Sequence, residues 1–321
     1  MSPRLGDGIM HFAYPPRKSS NPPRFRPRSA RLPVLRRSRL KLLVLGFVTL
    51  VTLAYLVIGR RKADVLLKRI PSGSPPVVLV TVIDPTTWDN GYLRTVKENR
   101  EKYAERHGYE AMVVKAFDYD TSGAPQSWAK IVAMRHALSK YPDCRFVWYL
   151  DQNAYIMDPA KSLEELVLEP KTLERLMIKD YPVVPPDSII KTFSHLKGQD
   201  ADFIVSQDKD SLVHASVIVR NGEWARYFIE TWFDPLYRSY NFQKAERHAL
   251  EHLVQWHPTI LSKLALVPQR TIAAYPNAKS GAAYQKGDMV IIFPDCKPQT
   301  CEPESKPYLD QWRSALQQDL T

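Results

Sequence analysis

Residues Phe146-Val-Trp-Tyr-Leu-Asp151-Gln-Asn153-Ala-Tyr-Ile-Met157 decide the reading of this chain. An apolar, aromatic-rich run stops at a polar triplet, and apolar residues then resume. A strand buried on both faces has this composition. In open α/β sheets, ligands gather at the carboxyl ends of the strands, which is where Asp151 falls. Residues i and i+2 at a strand end can point the same way and share one cation. Asp151 and Asn153 have that spacing and form the candidate metal pair. A divalent ion between such oxygens and a diphosphate neutralises a departing nucleotide. The same Asp-Gln-Asn is also good turn chemistry, so the triplet alone leaves both a site and a plain turn open.

The flanking sequence supplies the rest of a sheet. Val77-Val-Leu-Val-Thr-Val-Ile83 is a continuous β-branched run, closed by Asp84-Pro85. A helical segment over residues 91–107 carries Leu93, Val96, Tyr103 and Ala104 on one side and stops at Gly108. A second strand begins at Ala111–Val114. A second helix fits Ser127–Tyr141, with Trp128, Ile131 and Leu138 inward, and Arg145–Leu150 is a third strand. Strand–helix–strand–helix–strand at this spacing reads as a nucleotide-binding sheet. Further strands are expected at 202–206 and 215–220, and a long helix over 242–256.

Several separated segments resemble one glycosyltransferase family, that of the fungal α-1,6-mannosyltransferases, yeast α-galactosyltransferases and plant xyloglucan xylosyltransferases (family 34). They are Asn99-Arg-Glu-Lys-Tyr-Ala-Glu-Arg-His-Gly-Tyr109, Ser127-Trp-Ala-Lys130, Trp148–Ile156 and Glu223–Tyr237, continuing into His248–Leu253 and Gly287–Phe293. The likeness covers nearly all of residues 77–312. It is greatest to the mannosyltransferase branch found in the second mannan polymerase complex (mannan polymerase II) of the fungal Golgi.

The resemblance implies an α/β GT-A type nucleotide-sugar-binding fold, a Rossmann-like mixed sheet flanked by helices. It implies GDP-mannose as donor, an α-mannoside glycan acceptor, Mn²⁺ and retention of anomeric configuration. Asp151 would hold metal and diphosphate, with Asn153 at the second metal position. Thr81, Lys130, Asp151, Gln152 and Asn153 are the expected donor-binding residues. Glu246, at the head of a helix near the sugar, and Asp151 are the expected catalytic residues. Glu246 is also the carboxylate for a covalent intermediate, should the acceptor not attack directly. Related mannosyltransferase subunits in a hetero-oligomer are the expected partners. With UDP-galactose the same scaffold would be a galactosyltransferase, and with a decayed site a non-catalytic subunit.

Departures from the family pattern bear on the metal. Asn153 stands where an Asp is usual, so the second ligand is uncharged. Ile292 stands where a His commonly precedes the Phe of the C-terminal strand. Arg247 replaces the Gln expected after the helix-head acid and could supply positive charge there. Val213-His214-Ala215 stands where an Asn-x-Gly is often found. These changes predict weakened cation affinity.

The remaining features concern placement. The formal charge is +11, yet residues 1–41 hold eleven basic side chains against Asp7, and residues 63–321 sum to −2. A basic pI invites a nucleic-acid reading; a slightly acidic body excludes it for the folded part. Residues 42–59 carry no formal charge and are bracketed by Lys41 and by Arg60-Arg-Lys62. That length suits a transmembrane signal-anchor helix, and the charge bias places the N-terminal side in the cytoplasm. The expected organisation is a basic, disordered cytoplasmic tail (1–41), the anchor (42–59), a stem (60–76) and a lumenal domain (77–321). These features lead to the expectation of a single-pass type II membrane protein, and the family resemblance implies that its membrane is that of the Golgi.

Cys296 and Cys301 are spaced to close a short disulfide loop, leaving Cys144 unpaired. No Asn-x-Ser/Thr sequon occurs. His248, His252 and His257 read as surface or interface histidines rather than zinc ligands. Trp224, Trp232 and Trp256 suit core packing better than an acceptor cleft.

Overall fold

The computed structural model describes residues 44–52, 73–185, 187–240, 245–294 and 296–318. Residues 44–52 are helical and exposed, within a unit of their own spanning Met1–Val65. Among the described residues, no helix is long and apolar enough to cross a membrane. The expected tail, half of the expected anchor (42–43 and 53–59) and most of the stem (60–72) lie outside the described residues.

The larger unit, Leu66–Thr321, is built on a six-stranded mixed sheet. The strands are β1 (Val77–Ile83), β2 (Glu110–Lys115), β3 (Phe146–Leu150), β5 (Phe203–Gln207), β6 (Leu212–Arg220) and β7 (Leu264–Val267), in the order β2-β1-β3-β6-β5-β7. β1 runs parallel to β2 and to β3. Their crossovers are α1 (Asn90–His107) and α2 (Ala129–Lys140). Asp89 caps α1 by accepting from the Gly91 and Tyr92 amides. Gly108 ends the helix at φ 65°, a left-handed cap for which glycine is suited.

β6 runs antiparallel to both β3 and β5. The cause is local. Asp208 Oδ1 accepts from the Asp210 and Ser211 amides and folds the chain straight back after β5. So short a connection permits only an antiparallel neighbour. β6 begins at Leu212, earlier than the expected 215.

Both faces of the sheet are covered. On β1 and β3, Val78, Val80, Val147 and Tyr149 join one core, and Val77, Leu79, Phe146, Trp148 and Leu150 join another. The first core lies against α2, α3 (Glu223–Trp232) and α4 (Ala245–Trp256). A two-stranded antiparallel sheet pairs β4 (Ala154–Ile156) with β8 (Val290–Ile292), and its last bond runs from the Phe293 amide to the Asn153 carbonyl at 2.9 Å. The C-terminal helix α5 (Cys301–Gln318) packs beside it through Cys301, Leu309 and Trp312. Cys296 and Cys301 form a disulfide, and Cys144 is free and buried.

Candidate functional site

β1 and β3 are parallel neighbours, so their carboxyl ends open on the same edge of the sheet. A cleft of about 180 Å³ lies there, lined among others by Asp84, Ser127, Lys130, Tyr149, Asp151 and Gln152. The edge where Asp151 was expected to meet a ligand therefore carries a concavity with convergent polar groups.

Asp151 is fixed without being used up. Its amide donates to the Ala215 carbonyl on β6 at 2.8 Å. Its Oδ1 accepts from the Asn153 amide, and its Oδ2 from the Tyr149 hydroxyl, each at 3.2 Å. Each carboxylate oxygen thus retains acceptor capacity. Gln152 ties the two strand ends together, its Oε1 accepting from the Asp84 amide at 3.0 Å. The Tyr92 hydroxyl donates to the Gln152 carbonyl and also lies 3.3 Å from Cys301 Sγ.

Asn153 Oδ1 is buried and has no hydrogen-bond partner among the described residues. A buried amide oxygen left bare costs free energy and requires an explanation. A cation shared with Asp151 supplies one, so this oxygen pair fits the divalent ion that the sequence implied. Among the described residues, no group of three His, Cys, Asp or Glu side chains could hold a metal. Ile292 is buried in the core opposite Ala154 and adds no ligand.

Lys130 is 5% exposed, and its Nζ lies 2.9 Å from Glu246 Oε1. The Nζ also sits over the Tyr149 ring, 5.5 Å from its centroid. Glu246 is 4% exposed, receives the Ser127 hydroxyl at 2.5 Å and faces His214 Nε2 at 3.6 Å. Burial alone would raise the Glu246 carboxyl, but the Lys130 ammonium, His214 and the Ser127 hydroxyl outweigh it and hold it at about 2. Burial and the Lys130 charge push His214 down to about 3, so it is neutral at physiological pH. The Glu246 carbonyl accepts from Trp232 Nε1 at 2.8 Å, and Ala245 takes a left-handed φ of 44° just before it. The helix head is pinned on both sides of the carboxylate.

Of the residues expected at the site, Lys130, Asp151 and Gln152 line the cleft, and Asn153 adjoins it in the same turn. Thr81 and Glu246 do not line it. Thr81 is fully buried, and its hydroxyl donates to the Leu150 carbonyl at 2.8 Å. Glu246 lies behind Lys130 and Ser127. Arg247 pairs with Asp208 and Glu251, at 3.9 and 3.7 Å. Trp232 is buried, Trp224 stacks on Phe228, and Trp256 is 69% exposed.

Asp84, Tyr149 and His214 were missed as site residues. Alternation along β3 was a usable signal for Tyr149, two residues before Asp151. Asp84 read only as a strand terminator, and His214 was noted only as part of the Val213-His214-Ala215 departure from the family pattern, not as a site residue.

A solved glycosyltransferase, involved in glycosylation of the major capsid of PBCV-1, superposes with a TM-score of 0.51 at 12% identity. The match covers 72% of this chain and all of that one, and establishes likeness of fold. An uncharacterised α-1,2-galactosyltransferase of Schizosaccharomyces pombe is 34% identical over 207 residues, 64% of this chain and 63% of its own length. The probable α-1,6-mannosyltransferase MNN11 of Saccharomyces cerevisiae is 27% identical over 264 residues, 74% of this chain and 62% of its own. The chain thus spans just under two thirds of the length of these relatives. The galactosyl transferase GMA12/MNN10 family matches residues 73–302, and this chain belongs to it.

Proposed function

We propose that the chain is a retaining glycosyltransferase that moves a hexosyl group from a nucleoside-diphosphate sugar to a glycan hydroxyl. One observation carries the reading. A buried ammonium and a carboxylate line one cleft where two parallel strands end, and a bare amide oxygen lies two residues on in the same turn, a grouping that suits a sugar diphosphate.

Lys130 supplies positive charge to the diphosphate, held in place by Glu246 and the Tyr149 ring. Asp151 and Asn153 would hold Mn²⁺, which in that place offsets the charge of the leaving nucleotide. Gln152 and the Asp84 amide keep the two strand ends in register around the donor. The bond from the anomeric carbon to the diphosphate oxygen breaks as the bond to the acceptor oxygen forms. The acceptor proton passes to the departing phosphate oxygen. Glu246 is committed to Lys130 and Ser127, so we assign it the placing of Lys130 rather than covalent attack on the sugar.

The donor that follows from the sequence resemblance is GDP-mannose, with an α-mannoside acceptor and an α-1,6 linkage. On this reading the chain works in the Golgi lumen, membrane-anchored and in complex with related mannosyltransferase subunits. UDP-galactose is the second reading, favoured by the higher identity to the fission-yeast galactosyltransferase. Transfer from each donor to an α-mannoside acceptor, with and without Mn²⁺, in wild type and Asp151→Ala, tests both. Hexosyl transfer that Asp151→Ala abolishes supports the site, and the productive donor decides the sugar. Transfer undiminished in Asp151→Ala refutes the catalytic assignment.

A further inference from the structure

Arg100 is fully buried, and among the described residues none of its hydrogen-bond partners is a carboxylate. Its Nε donates to Thr81 Oγ1 at 3.2 Å and its Nη1 to Asn99 Oδ1 at 2.6 Å. Its Nη2 donates to the carbonyls of Asp151 and Ala154, at 2.8 and 2.7 Å. Those carbonyls bracket the turn that carries Gln152 and Asn153. Asn99 extends the grip, exchanging hydrogen bonds with both the amide and the carbonyl of Ile156 at 2.9 Å. Thr81 passes the contact to the Leu150 carbonyl. A single guanidinium thus joins β1, the end of β3 and the start of β4.

This arrangement is costly for packing alone. Val96, Asn99, Arg100 and Tyr103 share the inward face of α1, where apolar residues would bury at no electrostatic cost. Burial lowers the guanidinium to about 10, so it stays charged at neutral pH. The fork geometry of arginine matters here, because a lysine ammonium cannot span acceptors spread over this distance.

The geometry points to Arg100 as the positioning residue of the donor site: by clamping the Asp151 and Ala154 carbonyls, it sets the turn that aims the Asp151 carboxylate and Asn153 Oδ1 at one ligand. This rests on the reading of the cleft as a nucleotide-sugar site. Its charge lies directly beneath that turn.

The test compares full-length wild type, Arg100→Lys, Thr81→Val and Leu253→Ala, the last a buried α4 position serving as a control for lost stability. Hydrogen exchange over residues 150–157 reads the order of the turn. Calorimetric titration with GDP and with UDP, in the presence of Mn²⁺, reads the site. Arg100→Lys is expected to speed exchange in that segment and to weaken nucleotide binding by about tenfold or more, as loss of the groups that orient metal ligands does. Thr81→Val moves both in the same direction by less, and decides the matter if Arg100→Lys does not fold. Leu253→Ala lowers Tm and leaves both readouts in place. The inference is overturned if wild type binds nucleotide and Arg100→Lys, folded, matches it in exchange and affinity, or if Leu253→Ala loses as much. If wild type binds neither nucleotide, the donor-site reading falls first and the positioning role with it.

Discussion

Glu246→Gln removes the counter-charge of a lysine that has almost no access to water. The amide still accepts the Ser127 hydroxyl but leaves the Lys130 ammonium, 5% exposed, without its partner at 2.9 Å. Breaking one side of a buried pair costs about 3–5 kcal/mol. The carboxyl itself gives a second figure. Held at about 2 against an ordinary 4.5, it contributes about 3 kcal/mol at neutral pH. A depressed carboxyl contributes fully above its unfolded value and loses that contribution as pH falls through its folded one. The contribution should therefore shrink to about 1 kcal/mol at pH 3 and vanish below about 2. Urea unfolding of wild type and Glu246→Gln at pH 7 and pH 3 measures it. The mutant should lose about 3 kcal/mol at pH 7, or about 6–12 °C in Tm for a domain of this size. The double variant Lys130→Met/Glu246→Leu should regain most of that stability. It should still lose donor binding, because the ammonium is gone from the cleft. Wild-type stability in Glu246→Gln at pH 7, or a double variant no more stable than the single, would refute the buried pair.

Asp151→Ala forfeits the contacts with the Tyr149 hydroxyl and the Asn153 amide, about 1 kcal/mol each, so it should fold while transfer falls by about 10²–10³; circular dichroism with a transfer assay checks both. His214, held at about 3 against 6.5, takes up its proton in the unfolded state first, so stability falls as pH drops from 6.5 toward 3. His214→Gln should flatten that slope by up to about 1.4 kcal/mol per pH unit, read from urea midpoints across the window. Replacing Cys296 and Cys301 with Ala opens a short loop and should cost about 2 kcal/mol, a loss that reductant reproduces in wild type in calorimetric scans.

The central strands were legible because they are buried on both faces, which leaves unbroken β-branched runs at Val77–Ile83 and Phe146–Leu150. The inward positions of α1 were equally plain from their period. The sense of β6 was not, because it depends on the Asp208 turn rather than on anything within the strand. Helix α5 was hidden by its own start, where Pro303 and Pro307 argue against a helix that its core contacts and the disulfide support. At the site, the triplet announced itself by an abrupt change of polarity. The Lys130–Glu246 pair did not, since it joins residues far apart in sequence and leaves no periodic trace. Arg100 and Asn99 could have been singled out: two polar residues in phase with Val96 and Tyr103 on an apolar face already ask what they bind.

The Phe293 amide on the Asn153 carbonyl, and Cys301 against Tyr92, have a consequence in time. A ribosome finishes the triplet long before it makes the strand and helix that steady it. During that interval β1, β2 and β3 can pair, yet the turn beyond β3 lacks the neighbour across from Ala154. Synthesis past Phe293 and closure of the Cys296–Cys301 loop are thus late steps in maturation. A chain stopped before Phe293 would have its central parallel strands but an unfinished edge at the turn beyond β3.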